Sequence, residues 1–192
     1  MSAIFTQPEP KQDGIANVML ALCVHRAIDP QTMIAINTLL LCPNPKFHLT
    51  IKTGDALIDR SRGIVASQFY RNKQFDLLFF LDDDIVFDAM DVVKICRLTY
   101  SQKLDIVGGA YVKKAEKDTN FAIKCFLNLI SPFGKKGIVS EVEMVSTGFM
   151  AINRHVIEKM VEENVVHLCN PEGQNFWTFF MPIEKKIDGE WV

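Results

Sequence analysis

Three adjacent aspartates, Asp82, Asp83 and Asp84, are the residues of this sequence whose types and spacing point most directly to chemistry. They follow five consecutive apolar residues, 77–81, which are typical of a strand buried on both faces. Neighbouring carboxylates repel one another unless a positive charge lies close by. Mn²⁺ or Mg²⁺ would supply that charge, because hard cations prefer oxygen ligands and often share them with a substrate diphosphate.

The geometry of an extended chain would divide the three carboxylates between two sides. Alternate side chains of a strand point the same way, so Asp82 and Asp84 would hold the cation, while Asp83 would bind a sugar hydroxyl or face solvent. A cation held there would neutralise the charge that develops on a departing diphosphate. The simpler alternative is a solvated acidic loop, or aspartates that cap a helix.

A second candidate is the segment 58–63, which begins a predicted helix. Arg60 and Arg62 lie near the N-terminal end of that helix, where backbone N–H groups favour anions. The planar fork of a guanidinium matches phosphate oxygens, so Arg62 could bind a diphosphate that the cation also touches. Alternatively, either arginine is a surface residue paired with Asp55 or Asp59.

Weaker signals mark two further positions. Gly148 interrupts a strand pattern, which often indicates close approach by a ligand or another backbone, although a simple bulge gives the same pattern. The preceding Ser146 and Thr147 offer hydroxyls to a sugar. His25 follows the first predicted strand, where a base or a ribose would lie, but a lone histidine is more often incidental.

Strands and helices alternate along the first part of the chain, and this order positions the candidate residues. Helices are expected to begin near Pro30, Ile58 and Asp88, after start signals such as an aspartate followed by proline. The β-α-β-α-β-α-β order predicts an α/β fold, with a mostly parallel central sheet and helices on both faces. Ligands of such sheets bind beyond the carboxyl ends of the strands, where the aspartates lie. The expected strands are residues 18–24, 47–53, 77–81 and 104–107.

The second half lacks this alternation. Residues 121–129 and 142–152 resemble strands joined by a turn at 134–137, which predicts a small antiparallel extension, and residues 154–161 resemble a short helix. A cluster of aromatic residues near the C-terminus could stack on an acceptor sugar, although packing in the core is the simpler expectation. Its members are Phe176, Trp177, Phe179 and Phe180.

Composition and charge fit a single globular domain. The chain has 192 residues, of which 48% are hydrophobic and 23% charged, and its net charge of -2 gives no basic footprint for nucleic acid. Its five cysteines are widely spaced, without a zinc or disulfide pattern, so we expect reduced thiols and a cytoplasmic location. Neither a signal peptide nor a transmembrane segment is indicated. We expect residues 1–14 to be a flexible leader and residues 15–192 to form one domain.

Taken in order, these pieces resemble the GT-A class of nucleotide-diphospho-sugar transferases, especially its small viral and bacterial members. The resemblance covers roughly residues 17–155. Arg62 takes the arginine position of the family's Ile-x-x-x-Arg-Asn helix, while Gly63 stands where the family has asparagine. The four matching segments are 82–84 for the DxD motif, 58–63 for that helix, 106–111 for a "GGaY" segment and 147–149 for a glycine-containing strand.

The resemblance implies a GT-A-like, Rossmann-like fold and a metal-dependent glycosyltransferase. Such an enzyme would use Mn²⁺ or Mg²⁺ and a nucleotide sugar, here a UDP-sugar, to glycosylate a carbohydrate or another hydroxyl acceptor. Asp82 and Asp84 would bind the metal. The residues expected to contact the nucleotide sugar are His25, Arg62, Asp82, Asp83 and Gly148.

The resemblance also implies that part of the catalytic apparatus lies outside this sequence. Members of the family continue with a Glu-Asp pair, an aromatic-containing helix and often a histidine metal ligand, whereas this sequence ends at Val192. We therefore expect a chain truncated at its C-terminus. The catalytic base is expected beyond Val192, and no residue of this sequence is assigned that role.

Two other functions remain open on the sequence alone. Asp82–Asp84 followed by Ile85 and Val86 also fits the DxDx(T/V) signature of haloacid dehalogenase-like phosphohydrolases, in which the first aspartate is a nucleophile. That class places its motif on the first strand and requires a lysine and a later acidic pair, whereas here the motif follows the third strand and no Asp-Asp pair lies downstream. A non-catalytic nucleotide-sugar-binding module is the other alternative.

Overall fold

The computed structural model describes residues 4–5, 16–111, 123–124, 140–170, 173, 175–180, 186–187 and 190–191. The helices are α1 (Pro30–Leu40), α2 (Ile58–Arg71), α3 (Ala89–Ser101) and α4 (Arg154–Glu162). The strands up to residue 124 are β1 (Ile4–Phe5), β2 (Asn17–Val24), β3 (Lys46–Thr53), β4 (Leu77–Leu81), β5 (Ile106–Gly108) and β6 (Ile123–Lys124). The later strands are β7 (Met144–Val145), β8 (Phe149–Asn153), β9 (Leu168–Cys169), β10 (Phe176–Trp177), β11 (Lys186–Ile187) and β12 (Glu190–Trp191).

A six-stranded sheet with the order β1-β3-β2-β4-β8-β5 forms the centre of the fold. Strand β2 pairs in parallel with β3 and β4, whereas β8 is antiparallel to both β4 and β5. Strand β5 therefore runs in the same direction as β2, β3 and β4. The predicted mixed α/β class and mostly parallel sheet are confirmed, and the β-α-β-α-β-α-β elements occur close to their predicted bounds.

Two of the helices begin at the caps that the sequence indicates. The side chain of Asp29 accepts hydrogen bonds from the backbone N–H groups of Gln31 and Thr32, with Pro30 at the first helical position. The side chain of Asp88 likewise accepts from the backbone N–H of Met90 at the start of α3. These caps fix the points at which the chain leaves the carboxyl edge of the sheet.

Helices cover both faces of the sheet, as predicted. Because successive strand residues point to opposite faces, β2 buries Leu20 and Leu22 on one side and Met19 and Ala21 on the other. The first side packs against α1 and α3, and the second against α2 and α4. This sandwiching explains the uninterrupted apolar runs of β2 and β4. The helical residues buried in these layers are Ile36, Leu39, Val92, Val93 and Cys96 on the first side, and Val65, Ala66, Phe69 and Ile157 on the second.

The predicted single strand 142–152 is two strands in the structure. Strand β7 pairs with β6 in a small antiparallel sheet, which confirms the predicted extension, whereas β8 enters the central sheet. Residues 147–148 form a turn between them. Most of the predicted partner strand and its turn at 134–137 lie outside the described residues, as does the predicted leader apart from β1.

The C-terminal aromatic cluster packs in the core rather than presenting a surface for a sugar. Phe176 and Phe179 are 3% and 8% exposed, and the ring of Trp177 meets that of Tyr70 edge-on with centroids 6.1 Å apart. Strand β10 lies directly on α2 at Gly63, where a Cβ would stand 3.1 Å from the carbonyl oxygen of Trp177. Close packing against β10 thus explains the glycine at position 63.

Within the part of the chain that the structure describes, no helix is both long enough and apolar enough to cross a bilayer.

Candidate functional site

The acidic triplet lies at the carboxyl edge of the sheet, where the sequence places it. Strand β4 ends at Leu81, and the backbone N–H of Asp82 donates a hydrogen bond to the carbonyl oxygen of Gly148 at 2.9 Å. Because β8 runs antiparallel to β4, its beginning lies beside the end of β4. The structure thereby brings together two residues that are far apart in the sequence and were both predicted to belong to the site.

Arg62 forms an ion pair with the first aspartate of the triplet. Its Nη2 lies 2.7 Å from Oδ1 of Asp82, and the side chains of Arg62 and Asp82 are 11% and 34% exposed. The sequence predicts that a metal cation neutralises the carboxylates and that Arg62 binds a diphosphate. In the structure Arg62 itself supplies part of the counter-charge, which the sequence analysis missed.

Arg60 pairs with a nearby aspartate, which was the alternative to phosphate binding. Nε and Nη2 of Arg60 donate to the two carboxylate oxygens of Asp55, at 2.7 and 2.8 Å. The same carboxylate accepts a hydrogen bond from the backbone N–H of Leu57 at 3.0 Å. The hydrogen bond from Arg60 is the main reason why the pKa of Asp55 lies below its usual value. Arg60 therefore fixes the loop between β3 and α2.

The second aspartate joins the triplet to the loop that follows β2. The backbone carbonyl of Asp83 accepts from the N–H of Asp29 at 2.8 Å, and its Oδ2 accepts from the backbone N–H of His25 at 3.4 Å. His25 thus lies beside the triplet, and its described contact is made by the backbone rather than by the ring. Contact of the imidazole with a base or a ribose stays a prediction.

The third aspartate, Asp84, is exposed to solvent. The chain turns at residues 83–84, so the argument from an extended strand does not extend beyond Asp82. Nowhere in the described residues do three or more His, Cys, Asp or Glu side chains form a group that could hold a metal by themselves. Two carboxylates, Asp82 and Asp84, remain as predicted ligands. That number suits Mg²⁺ or Mn²⁺ that completes its shell with water and a substrate diphosphate.

Gly148 is required by the close approach of its neighbours. A Cβ at this position would collide with Oδ2 of Asp82 and the hydroxyl of Tyr111, and would lie 2.9 Å from Cγ of Asp82. Side chains make the close approach at Gly148, whereas the sequence predicted a ligand or another backbone. The Tyr111 hydroxyl is also 2.5 Å from Oγ of Ser146. Tyr111 had no predicted role, because the sequence does not reveal that β5 and β8 are paired.

A neutral thiol lies near the ion pair. Burial raises the pKa of Cys23, near the end of β2, to about 12, while the charge of Arg62 acts to lower it and that of Asp82 to raise it. The thiol is therefore protonated at neutral pH and adds no charge to the site.

Comparisons with known proteins give a likeness of fold. Neither family models nor curated proteins match the chain. Among solved structures, the crystal structure of A197 from STIV is similar, with a TM-score of 0.50 and 20% sequence identity, over 76% of this chain and 68% of that one. At this level of identity, what the two chains share is their mixed α/β architecture.

Proposed function

We propose that this chain is the donor-binding part of a metal-dependent, GT-A-like glycosyltransferase, and that it binds a UDP-sugar across the carboxyl edge of its sheet. The observation that carries the proposal is the arrangement around Asp82. This carboxylate follows the strand β4, pairs with a largely buried arginine, and lies so close to Gly148 that a Cβ at that position would collide with it. The carboxylate of Asp82 and the guanidinium of Arg62 thus lie side by side. A carboxylate suits a metal ion and a guanidinium suits phosphate oxygens, so the pair fits a metal-bound diphosphate.

Each residue has a defined part in this proposal. Asp82 and Asp84 would hold Mn²⁺ or Mg²⁺, and Arg62 would donate N–H groups to the phosphate oxygens. The bound metal would neutralise negative charge on the leaving nucleoside diphosphate. Asp83 and His25 lie on the side of β2, where they contact the nucleoside. The acceptor hydroxyl attacks the anomeric carbon as the bond to the diphosphate breaks, and its proton passes to a base that none of the residues discussed here supplies.

The cysteines are consistent with a reducing, cytoplasmic setting for this reaction. Those that the structure describes carry free thiols: Cys23, Cys42, Cys96 and Cys169.

Calorimetric titration with UDP tests the proposal directly. We expect UDP to bind in the presence of Mn²⁺ and to lose most of its affinity when EDTA removes the metal. Without the metal, the negative charges of the aspartates repel the diphosphate. Titration with several UDP-sugars would rank the donors. A folded protein that binds neither UDP nor UDP-sugars with Mn²⁺ present would refute the proposal.

Replacing Asp84 by alanine is expected to weaken Mn²⁺-dependent UDP binding on the order of 10-fold, because water can partly replace an exposed carboxylate ligand. The free energy of unfolding should change by less than about 0.5 kcal/mol, as is usual for exposed positions. Asp105→Ala is the matched control, since Asp105 precedes β5 at the opposite edge of the sheet. Equal effects of the two substitutions would remove Asp84 from the site.

Replacing Gly148 by alanine is expected to weaken Mn²⁺-dependent UDP binding by about 10-fold or more, because its Cβ would push aside the carboxylate of Asp82 or the hydroxyl of Tyr111. Gly108→Ala is a suitable control, since its Cβ would meet the Val145 side chain at 2.9 Å and no carboxylate. Calorimetry on both variants, with circular dichroism to verify folding, provides the measurement. Unchanged affinity in Gly148→Ala would show that the site tolerates a methyl group there.

A further inference from the structure

We propose that the ion pair between Arg62 and Asp82 couples the binding of the divalent cation to that of the diphosphate, so that each binds weakly until the other is present. This inference rests on the proposed function and concerns how the same site distinguishes a complete metal–nucleotide complex from its separate parts. It assigns Arg62 a regulatory role that a simple phosphate contact would not have.

The geometry gives Arg62 two competing partners. One nitrogen, Nη2, is engaged by Oδ1 of Asp82, and this is the hydrogen bond that the described residues provide for its side chain. A guanidinium carries five N–H donors in a rigid fork, so further donors remain for phosphate oxygens. Asp82 is three times more exposed than Arg62, with values of 34% and 11%, so the carboxylate is the member of the pair that a cation reaches from solvent.

Electrostatic repulsion disfavours the binding of the cation alone and of the diphosphate alone. A cation that binds Asp82 either competes with the guanidinium for Oδ1 or takes Oδ2, and in both cases it lies within a few ångströms of the positive charge of Arg62. A diphosphate that arrives without a cation meets three aspartates, of which Arg62 offsets only one. Of the neighbouring groups, Arg60 pairs with Asp55, and the Cys23 thiol is uncharged.

When the cation and the diphosphate are both present, each reduces the electrostatic repulsion that disfavours the other. The guanidinium turns its donors to the phosphate oxygens, Oδ1 of Asp82 becomes available to the cation, and the cation neutralises the carboxylates that repel the diphosphate. The affinities of the two ligands must then rise by the same factor, because coupling between two sites is reciprocal. We expect that factor to be about 10-fold to 100-fold, within the range usual for coupled sites.

Calorimetric titrations of the full chain test this coupling. Mn²⁺ is titrated with and without saturating UDP, and UDP with and without saturating Mn²⁺, in the wild type and in Arg62→Gln. In the variant we expect Mn²⁺ alone to bind several-fold more tightly, UDP with Mn²⁺ to bind more weakly, and the coupling factor to fall several-fold, since only the direct attraction between Mn²⁺ and the diphosphate would remain. Arg60→Gln is the control, because its pairing with Asp55 lies outside the triplet.

A second variant separates the charge of the side chain from its effect on folding. Arg62→Lys keeps the positive charge and should retain measurable coupling, so equal loss of coupling in the lysine and glutamine variants would overturn the inference. Unchanged or weaker binding of Mn²⁺ alone to folded Arg62→Gln would also overturn it, even if the wild type binds Mn²⁺ and UDP. If the wild type binds UDP under neither condition, the proposed function itself fails.

Discussion

Replacing Asp82 by asparagine is expected to lower Mn²⁺-dependent UDP affinity on the order of 100-fold or more, the largest loss that we expect from any single substitution at the site. Asparagine has nearly the same shape, so it fits beside Gly148, whose close contact would restrict a larger residue. It lacks the negative charge that a hard cation prefers. It also leaves the largely buried guanidinium of Arg62 without its carboxylate partner at 2.7 Å.

The loss of that partner gives the same substitution a second expected effect. An arginine that is only 11% exposed loses a charge-assisted hydrogen bond, so the free energy of unfolding should fall by about 1–2 kcal/mol. Titration with UDP and Mn²⁺, together with urea unfolding followed by circular dichroism, measures both effects on one sample.

Asp83→Asn is the matched control for this experiment. The Asp83 carboxylate accepts a long hydrogen bond, 3.4 Å, from the backbone N–H of His25, and in the proposal it does not bind the metal. Asparagine retains an oxygen that can accept that bond, so the loss of UDP affinity should stay below about 10-fold. A loss in Asp83→Asn equal to that in Asp82→Asn would show that the two carboxylates have been assigned the wrong roles.

The parts of the fold that could be predicted from sequence depend on local signals. The apolar runs of β2 and β4 indicate strands covered on both faces, and Asp29 and Asp88 indicate where two helices begin. Alternation of strands and helices then predicts a parallel sheet, because each helix returns the chain to the edge at which the previous strand began. The carboxyl edge, and with it the position of the triplet, follows from these local features.

The insertion of β8 between β4 and β5 could not be predicted in this way. A strand that pairs antiparallel in the middle of a parallel sheet depends on contacts between segments that are far apart in the sequence. Gly148 interrupts the strand pattern of residues 142–152, but a bulge gives the same pattern, so the division into β7 and β8 could not be predicted. The contacts of Gly148 with Asp82 and Tyr111 depend on the same pairing.

The ion pair of Arg62, in contrast, had a signal that the sequence analysis did not use. Successive residues of an α-helix are about 100° apart, so Arg60 and Arg62 point in nearly opposite directions. Arg62 shares its face with Val65 and Phe69, which are fully buried, three and seven residues further along. The helical period therefore indicated that Arg62, and not Arg60, points inward towards the sheet.

Replacing Arg154 by alanine is expected to lower the free energy of unfolding by about 3 kcal/mol, since several carbonyl groups at the end of α2 lose their donor. Nη2 of Arg154 donates to the carbonyl oxygens of Phe69 and Asn72 at 3.2 and 2.7 Å, and Nε donates to that of Phe75. The guanidinium also lies 4.2 Å from the centre of the Phe69 ring and 3.6 Å from Glu158. One side chain thus joins the start of α4 to the end of α2 and the loop before β4.

Arg97→Ala is the control, because Arg97 is exposed and donates to a single carbonyl, that of Asn44, so its loss should cost less than about 0.5 kcal/mol. Urea unfolding of both variants measures the difference, and similar midpoints for the two would contradict the role given to Arg154.

Helix α2 begins beside the triplet and ends at the opposite edge of the sheet. Folded Arg154→Ala should therefore bind UDP and Mn²⁺ as the wild type does, whereas Asp82→Asn should lose binding while largely retaining its fold. The two substitutions together would show that α2 supports the fold at one end and the proposed donor site at the other.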